Sequence, residues 1–110
     1  MRRGNVVWID FGFNIGNEFG GMHPAVILKN LDSELFVLPL SSKNPFINKE
    51  KDLTEIITID KIKGFKNIIR YGNITRMRKV SILRFNFSGS IGSIDGKSLN
   101  IISEKIRNEF

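Results

Sequence analysis

A small, mainly β barrel of five to seven strands, closed by one C-terminal helix, is the fold class this sequence predicts. Three observations carry it. Short apolar runs rich in Val, Ile and Phe recur from Val6 to Phe87, separated by clusters of Gly, Asn, Asp and Ser, the pattern of strands and turns. Helical spacing is confined to the C-terminal end, where Leu99, Ile102, Ile106 and Phe110 fall three or four residues apart. The 110 residues, 41% of them apolar, suffice for one domain (1–110) with a single modest core.

Val6 to Phe13 opens the barrel. Val6, Val7, Trp8, Ile9, Phe11 and Phe13 are β-branched or aromatic, which favours strand over helix. Asp10 lies inside this run, either facing solvent on the strand or hydrogen-bonded to the following loop. That loop, Gly16 to Pro24, holds three glycines, Glu18 and the only histidine, His23. Glycine lets a ligand approach the main chain closely, here at Gly20 and Gly21, and a loop gripped between buried strands is a common place for function. A plain hairpin loop is the alternative. Ala25 to Leu28 forms the second strand, Asn30-Leu31-Asp32-Ser33 a turn, and Glu34 to Leu40 the third strand, hairpin partner of the second.

Strand three runs into Ser41, Ser42, Lys43 and Asn44, two hydroxyls and a cation emerging together. Such a group suits phosphate or oxyanion contacts, or is an ordinary polar loop. Leu53 to Ile59 alternates as a fourth strand. Ile68 to Met77 reads as a fifth, interrupted at Gly72, and Val80 to Phe87 as a helical turn followed by a strand. Ser88 to Gly92 reads as a loop, and Ser98 as the N-cap of the final helix.

Charge is uneven along the chain. Residues 1–40 carry three Lys/Arg against four Asp/Glu, residues 41–96 eleven against five, and residues 97–110 three against two, so nearly all of the net +6 sits in the middle. A basic middle suits a polyanion, nucleic acid first, and Arg76, Arg78 and Lys79 are its densest cluster: a phosphate-contacting face or a solvated edge. With one histidine, no cysteine and no clustered carboxylates, no metal site is visible, and no lysine follows the glycines at the phosphate-loop spacing. No cofactor is expected. Nothing resembles a signal peptide and no apolar run reaches the ~20 residues of a membrane span, so a soluble, cytoplasmic chain without membrane contact is expected. Trp8 reads as core, whereas Phe19 and Phe46, on loops, are better placed to stack on unpaired bases.

At the level of these motifs the chain resembles the MazF/PemK family of toxin endoribonucleases. The opening Arg3-Gly4-Asn5-Val6-Val7-Trp8-Ile9-Asp10-Phe11 matches the family's first strand. Gly16-Asn17-Glu18-Phe19-Gly20-Gly21-Met22-His23-Pro24-Ala25-Val26-Ile27-Leu28 matches Gly-x-Glu-x-x-Gly-x-Arg-Pro-Ala-Val-Val-Leu, and Leu40-Ser41-Ser42 falls where a Thr or Ser pair ends the next strand. Gly72 to Met77 is loosely similar to a later family pattern. Pro39-Leu40-Ser41-Ser42-Lys43 is also similar to a segment of the type III toxin ribonucleases. The resemblance covers nearly the whole chain and is most specific over residues 3–28.

It implies an SH3-like barrel, usually a homodimer, that cuts single-stranded RNA without a metal and is blocked by an acidic antitoxin protein, or by an RNA antitoxin. One position departs: His23 stands where the family has a catalytic arginine. Arginine is permanently charged, whereas histidine exchanges protons near neutrality. The exchange either re-routes the protons or marks a chain that binds RNA without cutting it. The expected roles are proton transfer for His23, hydrogen-bond donation to a phosphate oxygen for Ser41, and a second proton carrier or loop-orienting group for Glu18. Arg76 and Lys43 are expected to offset phosphate charge, with Ser42 as a lesser helper.

Overall fold

The computed structural model describes residues 1–12, 20–46, 54–85, 89 and 91–109. Among them run seven strands: β1 (Asn5–Asp10), β2 (Met22–Asn30), β3 (Glu34–Ser41), β4 (Ile56–Ile59), β5 (Arg70–Asn73), β6 (Arg78–Ser81) and β7 (Ile91–Ser93). One helix, α1 (Gly96–Glu109), follows, and 3₁₀ turns occupy Ile74–Arg76 and Ile82–Arg84. The strands form one antiparallel sheet in the order β4-β5-β3-β2-β1-β7, with β6 also paired to β3. The fold is thus mainly β with a C-terminal helix, the class expected.

The topology explains why β1, β2 and β3 read as near-continuous apolar runs. β3 exchanges partners along one edge, pairing with β6 from Glu34 to Val37 and with β5 at Leu40 and Ser41. The sheet therefore forks at β3 and curls both ways. On one side, β4 and β5 curl back until Lys63, just past β4, bridges Ser93 of β7 through two backbone hydrogen bonds of 2.9 and 3.1 Å. On the other, β6 leads through a 3₁₀ turn to Phe85, which bridges Ile9 of β1. Two cores result. Val6, Val26, Leu38 and Leu40 face one, closed by Ile57, Ile59, Ile62, Ile74, Ile94 and Ile102. Val7, Ile9, Ala25, Ile27, Leu35 and Val37 face the other, with Phe11, Val80 and Phe85. Each of the Val, Leu, Ile and Phe side chains among these stabilises the fold by about 1.5–3 kcal/mol on burial, so polar residues at these inward positions would be costly.

Local chemistry sets the details. The β2–β3 turn places Asp32 at φ +70°, a region short polar residues accept, and Asn30 Oδ1 takes its backbone N–H at 2.8 Å. A bulge between Ile27 and Lys29 adds the extra twist that bends β2. Asp10 is both things foreseen for it: exposed, with Oδ1 accepting the Gly12 N–H at 2.9 Å.

Several sequence expectations are corrected. Val80 and Ser81 end β6 and the 3₁₀ turn follows them, the reverse of a helical turn followed by a strand, and Met22, His23 and Pro24 belong to β2 and not to the loop. The fifth strand is not one strand broken at Gly72 but β5, a 3₁₀ turn and β6. Gly72 lies inside β5, where an added Cβ would come within 2.9 Å of Leu38 Cδ2 and 3.1 Å of Leu40 Cδ2, so the leucines packed across it would have to shift to admit a side chain. Strand four begins at Ile56, since Thr54 and Glu55 form a turn; Leu53 lies outside the described residues. Ile91 and Gly92 belong to β7, pairing with Val7 and Val6 instead of forming a loop. The cap of α1 is Asp95, whose Oδ1 accepts the Ser98 N–H at 2.7 Å, while Ser98 sits inside the first turn. Leu99, Ile102 and Ile106 do pack inward from α1, as their spacing predicts; Phe110, and Phe13, the expected end of the first strand, lie outside the described residues.

Two predictions follow from this packing. At Gly92 an added Cβ would collide with the Lys63 carbonyl and lie 2.7 Å from the Phe65 ring, so Gly92→Ala forces the barrel seam apart. Overpacking of this kind costs about 1–3 kcal/mol, and thermal unfolding should show a Tm drop of roughly 5–20 °C. Hydrogen bonds from the Ser98 backbone, then its side chain, and the charge of Lys97 hold the Asp95 carboxyl below the usual carboxylate range. A depressed folded-state value means that this contribution is present above the unfolded carboxylate value and fades as pH falls through the folded one. Asp95→Ala should therefore melt below wild type at neutral pH, with the gap narrowing in acid. A gap independent of pH would contradict the charged cap.

Candidate functional site

Where the β2–β3 ladder stops, a cleft opens. The last paired residues are Ala25 and Pro39, and two residues further along each strand stand His23 and Ser41, at matching positions on opposite walls. Proline has no N–H to donate. Pro24 faces Trp8 of β1, and Pro39 sits in the gap where β3 leaves β6 and has not yet met β5. The strands separate at the two prolines, and the space between them, about 240 Å³, is lined by Trp8, Met22, His23, Pro24, Leu40, Ser41, Ser42, Ile68 and Arg70.

His23 is half-buried near the start of β2, and its Nε2–H donates to the Gly20 carbonyl at 2.8 Å. In the neutral ring the lone pair is then on Nδ1. The loop base is pinned beside it: Gly21 N–H donates to the Gly12 carbonyl at 2.7 Å, Phe11 N–H to the Gly21 carbonyl at 2.9 Å, and Arg84 Nη1–H to the Asp10 carbonyl at 3.1 Å. Gly21 has φ +80°, which only glycine adopts without strain. The His23 ring lies 6.4 Å from the Phe11 ring, and the Arg78 guanidinium lies 5.7 Å from the centroid of that same ring. On the opposite wall Ser41 Oγ accepts the Lys43 N–H at 3.1 Å, which fixes the hydroxyl and leaves its own hydrogen for donation. Ser42 and Lys43 are exposed beyond it. Phe46 is exposed and set edge-on to Tyr71, with centroids 6.0 Å apart.

The sequence-predicted residues therefore divide. His23, Ser41 and Ser42 line one cleft, with Gly20 and Gly21 at its loop base and Lys43 next along the chain. Arg76 does not line it: it sits exposed on the 3₁₀ turn past the far end of β5. Lys79 lies on β6 opposite Phe36, also outside the cleft lining, while Arg78 is connected to His23 through Phe11. Glu18 and Phe19 fall outside the described residues. Trp8 is neither pure core nor an open platform, since one face stacks on Phe65 at 5.6 Å and the side chain lines the cleft.

Sequence reasoning missed Arg70. It is 5% exposed, lies over Phe65 at 5.4 Å, and donates from Nη1 to the Lys66 carbonyl at 3.1 Å. Burial pushes its pKa down from the ordinary arginine range without removing the charge at neutral pH. The available signal was a cation set between apolar neighbours, Ile68-Ile69 before it and Tyr71 after it. Among the described residues no group of three His, Cys, Asp or Glu gathers in a metal-binding arrangement.

An imidazole, a positioned hydroxyl and a buried cation around one small cleft suit recognition of an anion. Compared with known proteins, the chain matches none of the curated sequences. It does match one family model, described as "PemK-like, MazF-like toxin of type II toxin-antitoxin system", over residues 2–110. With nearly its whole length inside that match, the chain belongs to the PemK-like, MazF-like toxins of type II toxin–antitoxin systems.

Proposed function

We propose that this chain is the toxin of such a system and acts as an endoribonuclease on single-stranded RNA, without a metal. The observation that carries this reading is the placement of His23 and Ser41 on the two walls of one cleft, at matching positions past the last β2–β3 pair. In the reaction, the ribose 2′-oxygen attacks the adjacent phosphorus as its proton is removed. The bond from phosphorus to the 5′-oxygen breaks, and that oxygen takes up a proton. The products end in a 2′,3′-cyclic phosphate and a 5′-hydroxyl. His23 carries a proton in this exchange, and the Ser41 hydroxyl donates to a non-bridging phosphate oxygen. Lys43 and Arg78 draw the polyanion to the cleft, and Phe46 offers a face to an unpaired base. An antitoxin protein with an acidic segment blocks the same basic cleft, and the active form is a cytoplasmic homodimer.

A second reading is a non-catalytic RNA-binding or partner-binding module of the same fold. The observation favouring it is the His23 Nε2–H bond to Gly20, which commits one ring nitrogen to the loop. The two readings separate in one assay: purified protein incubated with a long single-stranded RNA in EDTA, with analysis of the cut ends. The nuclease gives discrete cuts with cyclic phosphates. His23→Ala lowers the rate about 10²–10⁴-fold, the usual range for a lost acid or base, and a few-fold loss would remove it from proton transfer. Ser41→Ala, which deletes one donor to the developing charge, should cost roughly 10²–10³-fold in kcat. RNA left intact by folded, antitoxin-free protein would favour the binding module.

A further inference from the structure

We propose that Tyr71 and Phe46 form a base-binding subsite beside Ser41, taking the unpaired base of a nucleotide that adjoins the scissile phosphate. This rests on the single-stranded RNA reading above and names the part of the substrate that the chain reads next to the cut.

The argument begins with register. β5 sets Tyr71 directly opposite Ser41, and directly opposed residues of an antiparallel pair project to the same side, with Cα atoms about 4.5–5.5 Å apart. That side is also the side of His23. Leu35 and Val37 of β3 and Ala25 and Ile27 of β2 feed one core, and Ser41 and His23 continue the two alternations toward the cleft. Tyr71 pairs in turn with Thr58 of β4, which is exposed. A hydroxyl, an aromatic ring and a second hydroxyl thus stand in a row across three strands, starting at the cleft wall.

The loop after β3 brings a second ring to this row. Ser41 Oγ accepts the Lys43 N–H at 3.1 Å and Asn44 Oδ1 accepts the Phe46 N–H at 2.8 Å, so two turns closed by side chains shape residues 41–46. Phe46 comes to rest with its centroid 6.0 Å from that of Tyr71 and the ring planes 67° apart. Tyr71 is half-buried, whereas Phe46 stays 39% exposed, and neither ring belongs to either core. Every base has a π-face, and an aromatic corner of this kind offers one ring face for stacking and one ring edge for lateral contact. Because the loop and Tyr71 hold Phe46 before any ligand arrives, little freedom is lost on stacking. The Tyr71 hydroxyl, donor and acceptor at once, supplies the hydrogen bond that tells one base edge from another. One strand spacing, about 4.8 Å, separates Ser41 from Tyr71, a span suited to the phosphate and the base of a single nucleotide.

The test uses single nucleotides, which carry one phosphate and one base and hold no bond for the protein to cut. The 3′- and 5′-monophosphates of the four ribonucleosides, with inorganic phosphate in parallel, are titrated by NMR at one low salt concentration. The proteins are wild type, Phe46→Leu, Tyr71→Leu, Tyr71→Phe and Ser41→Ala, folded and free of antitoxin. At least one nucleotide should bind wild type more tightly than phosphate does. Phe46→Leu and Tyr71→Leu should each remove that gain, a loss of roughly 5–100-fold for one stacked base, and leave phosphate binding unchanged. Ser41→Ala should weaken nucleotide and phosphate alike. Tyr71→Phe should keep the gain and level the differences among the four bases. Should Tyr71→Leu fail to fold, Phe46→Leu decides, since its side chain is exposed on a loop. Nucleotides that bind no better than phosphate overturn the assignment, as does a gain that survives both leucine substitutions. A gain that depends on Phe46 and Tyr71 in a wild-type protein that leaves RNA intact would sustain the subsite while removing the nuclease reading.

Discussion

Strands β1, β2 and β3 are buried on both faces, and every other part of the molecule follows from that requirement. Alternate residues of the same strands feed different cores, Val6 and Val26 one, Val7 and Ile27 the other. A sheet in this position must be covered twice, so the chain after β3 has to supply material for both sides. It does so by sending β4 and β5 to one edge region of β3 and β6 to the other. Each curl then returns to the N-terminal strands, at Ser93 beside Lys63 and at Phe85 beside Ile9. The helix completes one of the two covers through Ile102, with Leu99 and Ile106 beside it.

The cleft is a by-product of the same arrangement. β2 and β3 stay paired as far as Ala25 and Pro39, and beyond that pair β3 runs on with β5 while β2 stays with β1. Placing prolines there and at residue 24 makes the gap permanent, since proline cannot donate to a ladder. Side chains at the gap are held by regular structure on one side and face open space on the other. That is the condition under which a histidine, a serine and an arginine can be positioned without being sealed in.

Much of this was legible in the sequence. Strands two and three, the turn at Asn30 to Ser33 and the inward stripe of the helix all follow from local pattern, while the grouping of His23 with Ser41 and Ser42 came only from the family resemblance. Each depends on residues close in the chain or on alternation that survives in any barrel. What sequence did not disclose is what depends on distant neighbours. Gly72 reads as a break because glycine weakens a strand in general, and only the leucines packed across from it show how closely its backbone is approached. Ser98 reads as a cap because serine prefers that place, but Asp95 precedes it by three residues and takes the role through its charge and reach. Arg70 was overlooked for Arg76 because clustered charge is conspicuous in one dimension. In three dimensions the solitary cation is the one that folding brings to the cleft, while the cluster stays on the surface.

The two cores share one set of strands, and this ties together their fates on unfolding. In a protein built from separate halves, heat or denaturant can open one half while the other persists. Here no opening that removes β2 from one core can leave it in the other, because its two faces are the same backbone. The amide protons of β1 to β3 are then accessible only when the whole molecule opens, whereas those of α1 and β4, which serve a single core, can exchange through smaller excursions. A wall of the cleft such as β2 consequently carries the full stability of the fold behind it, and β5, which brings Arg70, does not.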